Sequence, residues 1–486
     1  MRKNDFDKLL QTLRTNGLDF SERSVSYAGG EVVLFFIAQL TDRVTLAEDV
    51  VKPLILHCSS GKNMPTAQET VNSIIYADIC RIEADCKMVE NYILTGMVVI
   101  LFSNDPNYIV INLKKVEHRA VPDPQLTYTI RGPQDCFTEN LDVNLSLLRN
   151  RVKDSNLRIK YFEVGARTKT RVAVIYIQDV TNDNVVKEIE RRIESINVDG
   201  VSESGELQTF LLNSKTKFFP QMGIVERSDT AYHELTQGKA IVLTEGSGIA
   251  ISAPKTFSEF FKSGDDRYDN KYFGMFSMLL RYLAIFIALT ASSVFIAVTS
   301  FHSEVLPSDY AIALARMRIK VPFSALVGAI LLEFIVELLR EALLRVPKQI
   351  GPAIGIVGAI VIGQSAIAAG FFSPVLLTIA AVSLLASFAI PDYTLVNPFR
   401  VLKFLLIMFT GALGFLGFTV ILTAIASDLV SLNSFGVPYM APWAPFNMQD
   451  FSESVASPST SRTKRLHYLR TKNRVRMVKK NDQNES

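Results

Sequence analysis

The stretch Arg171 to Val180, RVAVIYIQDV, decides how the first half of the chain is read. Its β-branched and aromatic run predicts a strand, Thr181-Asn182 supplies a polar cap, and the apolar spacing from Val185 to Ile193 predicts a helix. The same order stands about 140 residues earlier: Glu31 to Leu40, EVVLFFIAQL, then Thr41-Asp42, then a helical pattern from Leu46 to Lys52. Downstream of each an apolar hairpin is expected, at Ile93 to Ile100 and at Leu235 to Val242. Each is followed by a turn, at Asn104 to Asn107 and at Glu245 to Gly248, and by a second short strand. The fold class is therefore an α/β region of two similar, duplicated subdomains, 1–130 and 158–272. Residues 131–157 join them: Gly132-Pro133 punctuates, and leucines at helical spacing between Leu141 and Val152, with Arg149 and Arg151, predict an amphipathic connecting helix packed across both.

Outward from this region the composition changes. Of 486 residues, 48% are hydrophobic and 20% charged, and the mean hydropathy is +0.22. Residues 1–272 hold 33 basic and 37 acidic side chains, a net of −4, whereas residues 273–426 hold only 9 and 6. The expected plan is a soluble region, an α-helical multi-span membrane domain at 273–426, and a basic, largely disordered tail at 427–486. A purely soluble enzyme and a collagenous or disordered chain are excluded, and an overall charge of +3 gives no electrostatic footprint for nucleic acid.

A hydrocarbon core about 30 Å thick takes about 20 apolar residues as helix. Five segments qualify: Tyr282 to Phe301, Val321 to Leu344, the two halves of the uncharged run Gln349 to Pro391 cut at Gly370 and Ser373-Pro374, and Leu405 to Ala426. The polar N-terminus carries no secretory signal, which keeps the first domain in the cytosol. Nine Lys and Arg with no acid between Arg462 and Lys480 place the tail there too. Both ends on one side demand an even number of crossings, so one of the five segments is re-entrant, interfacial or misread, the charged segment 321–344 and the glycine-cut segment 401–426 being the first suspects.

No enzyme motif and no cofactor or metal signature survives. Gly61-Lys62 lacks the rest of a phosphate loop, the five histidines are scattered, and Asp265 to Asp269 lacks the glycine and distal glutamate of a calcium loop. Cys58, Cys80, Cys86 and Cys136 have neither zinc nor redox spacing and read as reduced, buried small hydrophobes. In the membrane domain, Glu333, Glu337 and Glu341 recur at i, i+4, i+8 beside Arg340. They predict either a salt-bridge network with Arg316, Arg318 or Arg345, or a hydrated cation path. Gly351, Gly355 and Gly358 form a small-residue face for close helix packing. Val357, Val361 and Gln364 share one face of the same segment and are the candidate lining of an ion path, the Gln364 amide oxygen serving as ligand and the valines closing by dewetting.

Several of these residues carry a resemblance. Gly132-Pro133 with Phe137, Glu139, Asn144 and Leu148 to Arg151, then Glu337 to Ala342, Arg345-Val346-Pro347, Gly355 to Ala359 and Gly363-Gln364, resemble the A subunit of the GerA family of spore germinant receptors. The resemblance covers nearly the whole chain; Gln134-Asp135 stands where the family usually has Arg-Glu, and Ser365 to Ala368 is a variant of its Ala-Ala-Val stretch. It implies an inner-membrane protein of dormant bacterial spores with its large N-terminal domain in the cytosol. It further implies a transporter-like B subunit and a lipoprotein C subunit as partners, besides membrane lipid. It implies an A subunit that assembles with itself as a homo-oligomer and releases cations when germination starts. A secondary transporter subunit and a non-conducting scaffold are the alternatives. The first would show inverted membrane repeats, which the sequence lacks, and the second leaves the glutamate face and Gln364 unexplained.

Overall fold

A computed structural model describes residues 10–11, 20–114, 132–212, 218–346, 363–456 and 464–476, apart from positions 28, 62, 78, 134, 269 and 320. The chain divides into two compact units. The first comprises Met1–Asn213, Met222–Pro254 and Thr463–Ser486, and the second Ser214–Gln221 and Lys255–Arg462.

The first unit holds two five-stranded antiparallel sheets. One is built from β1 (Ser21–Tyr27), β2 (Gly30–Phe36), β3 (Cys80–Glu83), β4 (Val98–Phe102) and β5 (Tyr108–Ile111), with helices α1 (Lys52–Ser59), α2 (Ala67–Ser73) and α3 (Val89–Leu94). The other is built from β6 (Leu157–Val164), β7 (Thr170–Ile177), β8 (Gly223–Val225), β9 (Ala240–Thr244) and β10 (Ala250–Ala253), with α4 (Leu141–Arg151), α5 (Asp183–Glu194), α6 (Ser204–Leu211) and α7 (Ser228–Gln237). The strand orders are β1-β2-β4-β5-β3 and β6-β7-β9-β10-β8, the same order position for position. The duplicated runs are the second strands, β2 and β7. In β2, Val32 and Leu34 enter one core while Val33 and Phe35 enter another. A strand buried on both faces needs a continuous apolar run rather than an alternation. The polar residues after each run cap helices as expected: Asp42 accepts from the Val44 and Thr45 amides, and Asn182 from the Asn184 amide.

Three expectations need correction here. Ile93 and Leu235 are not in strands but are buried residues of α3 and α7. Gly96 and Gly238, at φ 87° and 97°, stop those helices in the left-handed conformation that glycine adopts without strain. The hairpins are formed one strand later, by β4–β5 and β9–β10. The helix expected to bridge the subdomains, α4, buries Leu141, Leu145 and Leu148 among Leu157, Ile175, Leu235 and Ile241, so it is part of the second subdomain's core. The Asn144 side chain holds its N-terminal approach, accepting from the Thr138 amide at 2.7 Å and donating to the Thr138 carbonyl at 2.6 Å. Arg151 ties it to Asp135 at 2.5 Å and to Ser228 at 2.8 Å. Of the four cysteines only Cys136 is fully buried, and burial pushes its thiol up to about 11.

The tail is not disordered throughout. Between Lys464 and Arg476 it folds back on itself at the Lys464–Val475 bridge and joins the first unit. Arg465 donates to the Thr236 carbonyl at 2.7 Å, the Lys472 amide donates to the Val180 carbonyl at 3.0 Å, and Lys472 Nζ pairs with Asp183 at 2.6 Å. Leu466, Tyr468 and Leu469 are buried, and that burial outweighs the mutual repulsion of the basic side chains. Deleting residues 463–486 is expected to cost the first unit about 2 kcal/mol, the value of one to two buried leucines. Urea unfolding of the full-length and truncated chains measures it, and equal midpoints would show the segment to be an ornament.

The main segment of the second unit begins at Lys255, not at 273. Phe257, Phe260 and Phe261 pack with Phe219, Ile285, Phe399 and Tyr439, so the aromatic run Phe257–Phe261 belongs with the helices and not with the second subdomain. The helices are α8 (Lys271–Ser300), α9 (Ser308–Arg318), α10 (Ala325–Arg345), α11 (Pro374–Phe388), α12 (Tyr393–Leu413) and α13 (Phe415–Ser431), followed by the short pair β11 (Asn433–Ser434) and β12 (Val437–Pro438) and by α14 (Met448–Ala456). At one end of this unit the Tyr282 ring lies between Phe261 and Trp443, Lys255 pairs with Asp392 at 2.6 Å, and Leu429 and Leu432 meet Tyr439 in one cluster. At the other end His302 packs on Phe415 and Phe323 stacks on Phe371. The chain therefore enters and leaves the helices at the same end.

Among the described residues two helices are long and apolar enough to cross a membrane, Tyr272–Ser300 and Tyr393–Leu413. The five expected segments thus reduce to two by that measure. Val321 to Leu344 became α10, whose charges disqualify it, while α11 and α13 are apolar but short. Leu405 to Ala426 is not one segment: Gly414, at φ 64°, reverses the chain between α12 and α13.

Candidate functional site

The second unit's most unusual chemistry lies between α10, α11 and α12. Glu333, Glu337 and Arg340 come from α10, and Arg400 and Lys403 from α12. The Lys403 ammonium sits 2.6 Å from Glu333, whose carboxylate also accepts from Ser292 at 2.6 Å. Glu337 pairs with Arg400 and lies 3.6 Å from Arg340. Lys403 donates to Ser383 at 2.7 Å, and Arg340 donates to Ser387 at 3.0 Å with its guanidinium over the Phe388 ring. The side chains of Glu333 and Arg340 are 5% and 9% exposed, so this is an interior network and not a solvated helix face. Ionic groups survive such burial when each finds a counter-charge and a hydrogen bond.

Of the three acids expected on one face, Glu333 and Glu337 lie in the network and Glu341 does not, and none of the expected partners joins them. Arg316 and Arg318 lie on α9, away from the network; Arg345 pairs with Glu341 at 2.8 Å, and both are exposed. Glu341 leaves the cluster because eight residues at 3.6 per turn carry it roughly 80° round the helix from Glu333. Arg400 and Lys403 stand just before the apolar segment Leu405 to Ala426 and belong to none of the expected sites. Their spacing of i, i+3 puts both on one face of α12, complementary to the i, i+4 pair of acids on α10, and that was the signal available.

The other expected site falls mostly elsewhere. Val357 and Val361, with the packing glycines Gly351, Gly355 and Gly358, lie outside the described residues. Gln364 is described: it is helical and exposed. Among the described residues no group of three or more His, Cys, Asp and Glu is placed to hold a metal ion.

A duplicated antiparallel α/β region, and a separate bundle of apolar helices with ionic pairs buried between them, define a two-part protein whose second part has the chemistry of a membrane bundle. The chain belongs to the GerA family: the family described as Bacillus/Clostridium GerA spore germination protein matches residues 7–468. It is 33% identical over 465 residues to spore germination protein B1 of Bacillus subtilis (strain 168), covering 95% of this chain and 96% of that protein. It is 33% identical over 461 residues to spore germination protein GerLA of Bacillus cereus, covering 93% of each, and 32% identical over 424 residues to spore germination protein KA of Bacillus subtilis (strain 168), covering 87% of this chain and 78% of that protein. Among solved structures, the N-terminal domain of the A subunit of the Bacillus megaterium spore germinant receptor GerK3 aligns with 51% of this chain and 93% of its own, at 18% identity and a TM-score of 0.37.

Proposed function

We propose that this chain is the membrane-embedded A subunit of a spore nutrient receptor, and that its helices assemble with other copies into a nutrient-gated cation channel. The match over residues 7–468 carries the receptor reading. The bundle's exterior supports its placement in a bilayer: Leu283, Phe286, Val401, Leu405, Met408 and Val420 are all exposed, a surface suited to lipid or to neighbouring subunits. Entry and exit of the chain at one end of the helices fits a cytosolic N-terminal region together with a cytosolic basic tail. Both would lie inside the inner membrane of the spore, beside a transporter-like B subunit and a lipoprotein C subunit.

The ion path is assigned to Val357, Val361 and Gln364. The pairing of Glu333 and Glu337 with Lys403, Arg340 and Arg400 supports this choice indirectly, because a carboxylate already neutralised by fixed cations is a poor ligand for a passing one. Reconstituted in liposomes, the chain should conduct cations. Val361→Ala, which shortens the side chain that closes the path, should raise the resting leak about tenfold, a change of roughly 1.4 kcal/mol in the closed state. Single-channel recording and nutrient-free germination read the effect. If Val357→Ala, Val361→Ala and Gln364→Ala all leave leak and nutrient response unchanged in protein that accumulates normally, the segment only packs.

A further inference from the structure

We infer that the cavity among α10, α11 and α12 is a binding site for one small monovalent anion, with chloride as the fitting size and charge. The cluster holds three cations, Arg340, Arg400 and Lys403, against two carboxylates, Glu333 and Glu337. The neighbouring acids are spent elsewhere, Glu341 on Arg345 and Asp392 on Lys255. Among the described residues one positive charge is therefore left over in a largely buried site. An uncompensated charge taken out of water is strongly disfavoured, and an anion is the direct remedy.

The excess resides on Arg340. Its Nη2 donates to Ser387, but its Nε and Nη1 are buried without a hydrogen-bond partner among the described residues, Nη1 lying 3.6 Å from Glu337. Arg340, which carries these two free donors and is 91% shielded from solvent at the side chain, lines a cavity of about 30 Å³ together with Ser383 and Lys403. That space suits a body about the size of a water molecule and rejects a carboxylate or phosphate group. A water would satisfy the donors and leave the charge; a halide does both, since charge-assisted N–H contacts are the stronger kind. This inference concerns the side chains of the bundle and stands whether or not the helices conduct.

The test uses the full chain in detergent, with sodium chloride exchanged for sodium gluconate at constant ionic strength. The unfolding midpoint is expected to rise by roughly 3–6 °C between chloride-free buffer and about 0.3 M chloride, the shift that ligand linkage gives a site with a dissociation constant of about 30 mM. The chloride NMR line should broaden with protein and sharpen again when bromide is added. Arg340→Met balances two cations against two acids, so it should abolish both effects and match or exceed the wild-type midpoint in gluconate. Arg340→Lys keeps the charge and should keep the chloride dependence. A wild-type midpoint and line width that ignore chloride, or a chloride dependence that persists in Arg340→Met, would mean a water-filled void only and overturn the site. Should Arg340→Met fail to fold, the wild-type and Arg340→Lys measurements still decide.

Discussion

Glu333→Gln is expected to destabilise the helical unit by about 3–5 kcal/mol, the cost of removing one partner from a buried ion pair. The substitution keeps the shape of the side chain and removes only its charge. Lys403, 2.6 Å away and with 12% of its side chain exposed, then faces a neutral amide, and Glu337 alone must answer three cations. The Ser292 hydroxyl keeps an acceptor in the new amide oxygen, so the loss reports charge and not a broken hydrogen bond to α8. Pairing the change with Lys403→Met should recover most of it, leaving the double variant within about 1 kcal/mol of wild type, because two apolar or neutral groups of similar volume replace an ion pair at little cost. The four proteins form a double-mutant cycle read by denaturant unfolding in detergent. A single-variant loss under about 1 kcal/mol would show that water reaches the pair and screens it, as at a protein surface.

What could be read from the sequence follows the reach of each interaction. The duplication was legible because β2 and β7 are each buried on both faces and each followed by a capping residue, both of which are local facts. The strands β1 and β6 left no such trace: their mixed exposure lets charged residues such as Glu22, Arg23, Lys160 and Glu163 interrupt the apolar pattern. At the site, Glu333 and Glu337 announced themselves as charges in an apolar helix, but their partners lie some 60 to 70 residues away on α12, and periodicity within one helix says nothing of its neighbour. The tail was misread for the opposite reason. Its nine positive charges were counted, and Leu466, Tyr468 and Leu469 among them, which dock it, were not.

Gly417→Val should be as damaging as any core truncation, at about 3 kcal/mol, the upper range for forcing volume into a packed site. Gly417 lies in α13 just after the reversal at Gly414, and a Cβ there would fall inside the carbonyl group of Phe409 on α12. Backbone, unlike a side chain, cannot rotate away, so α13 must separate from α12. The damage extends along the helix, because Phe418, Ile421, Ile425 and Leu429 of α13 reach the cluster of Phe219, Phe261 and Tyr439 only if the two helices stay in close contact. A reversal at this point is also what returns the chain to the end of the bundle where it entered. A splayed hairpin should therefore change both the unfolding midpoint and the accessibility of a cysteine placed at Ser434, which is fully buried in the intact chain. Thermal unfolding and maleimide labelling of Ser434→Cys with and without Gly417→Val measure the two together. Unchanged labelling with an unchanged midpoint would show that α12 and α13 do not need their close approach.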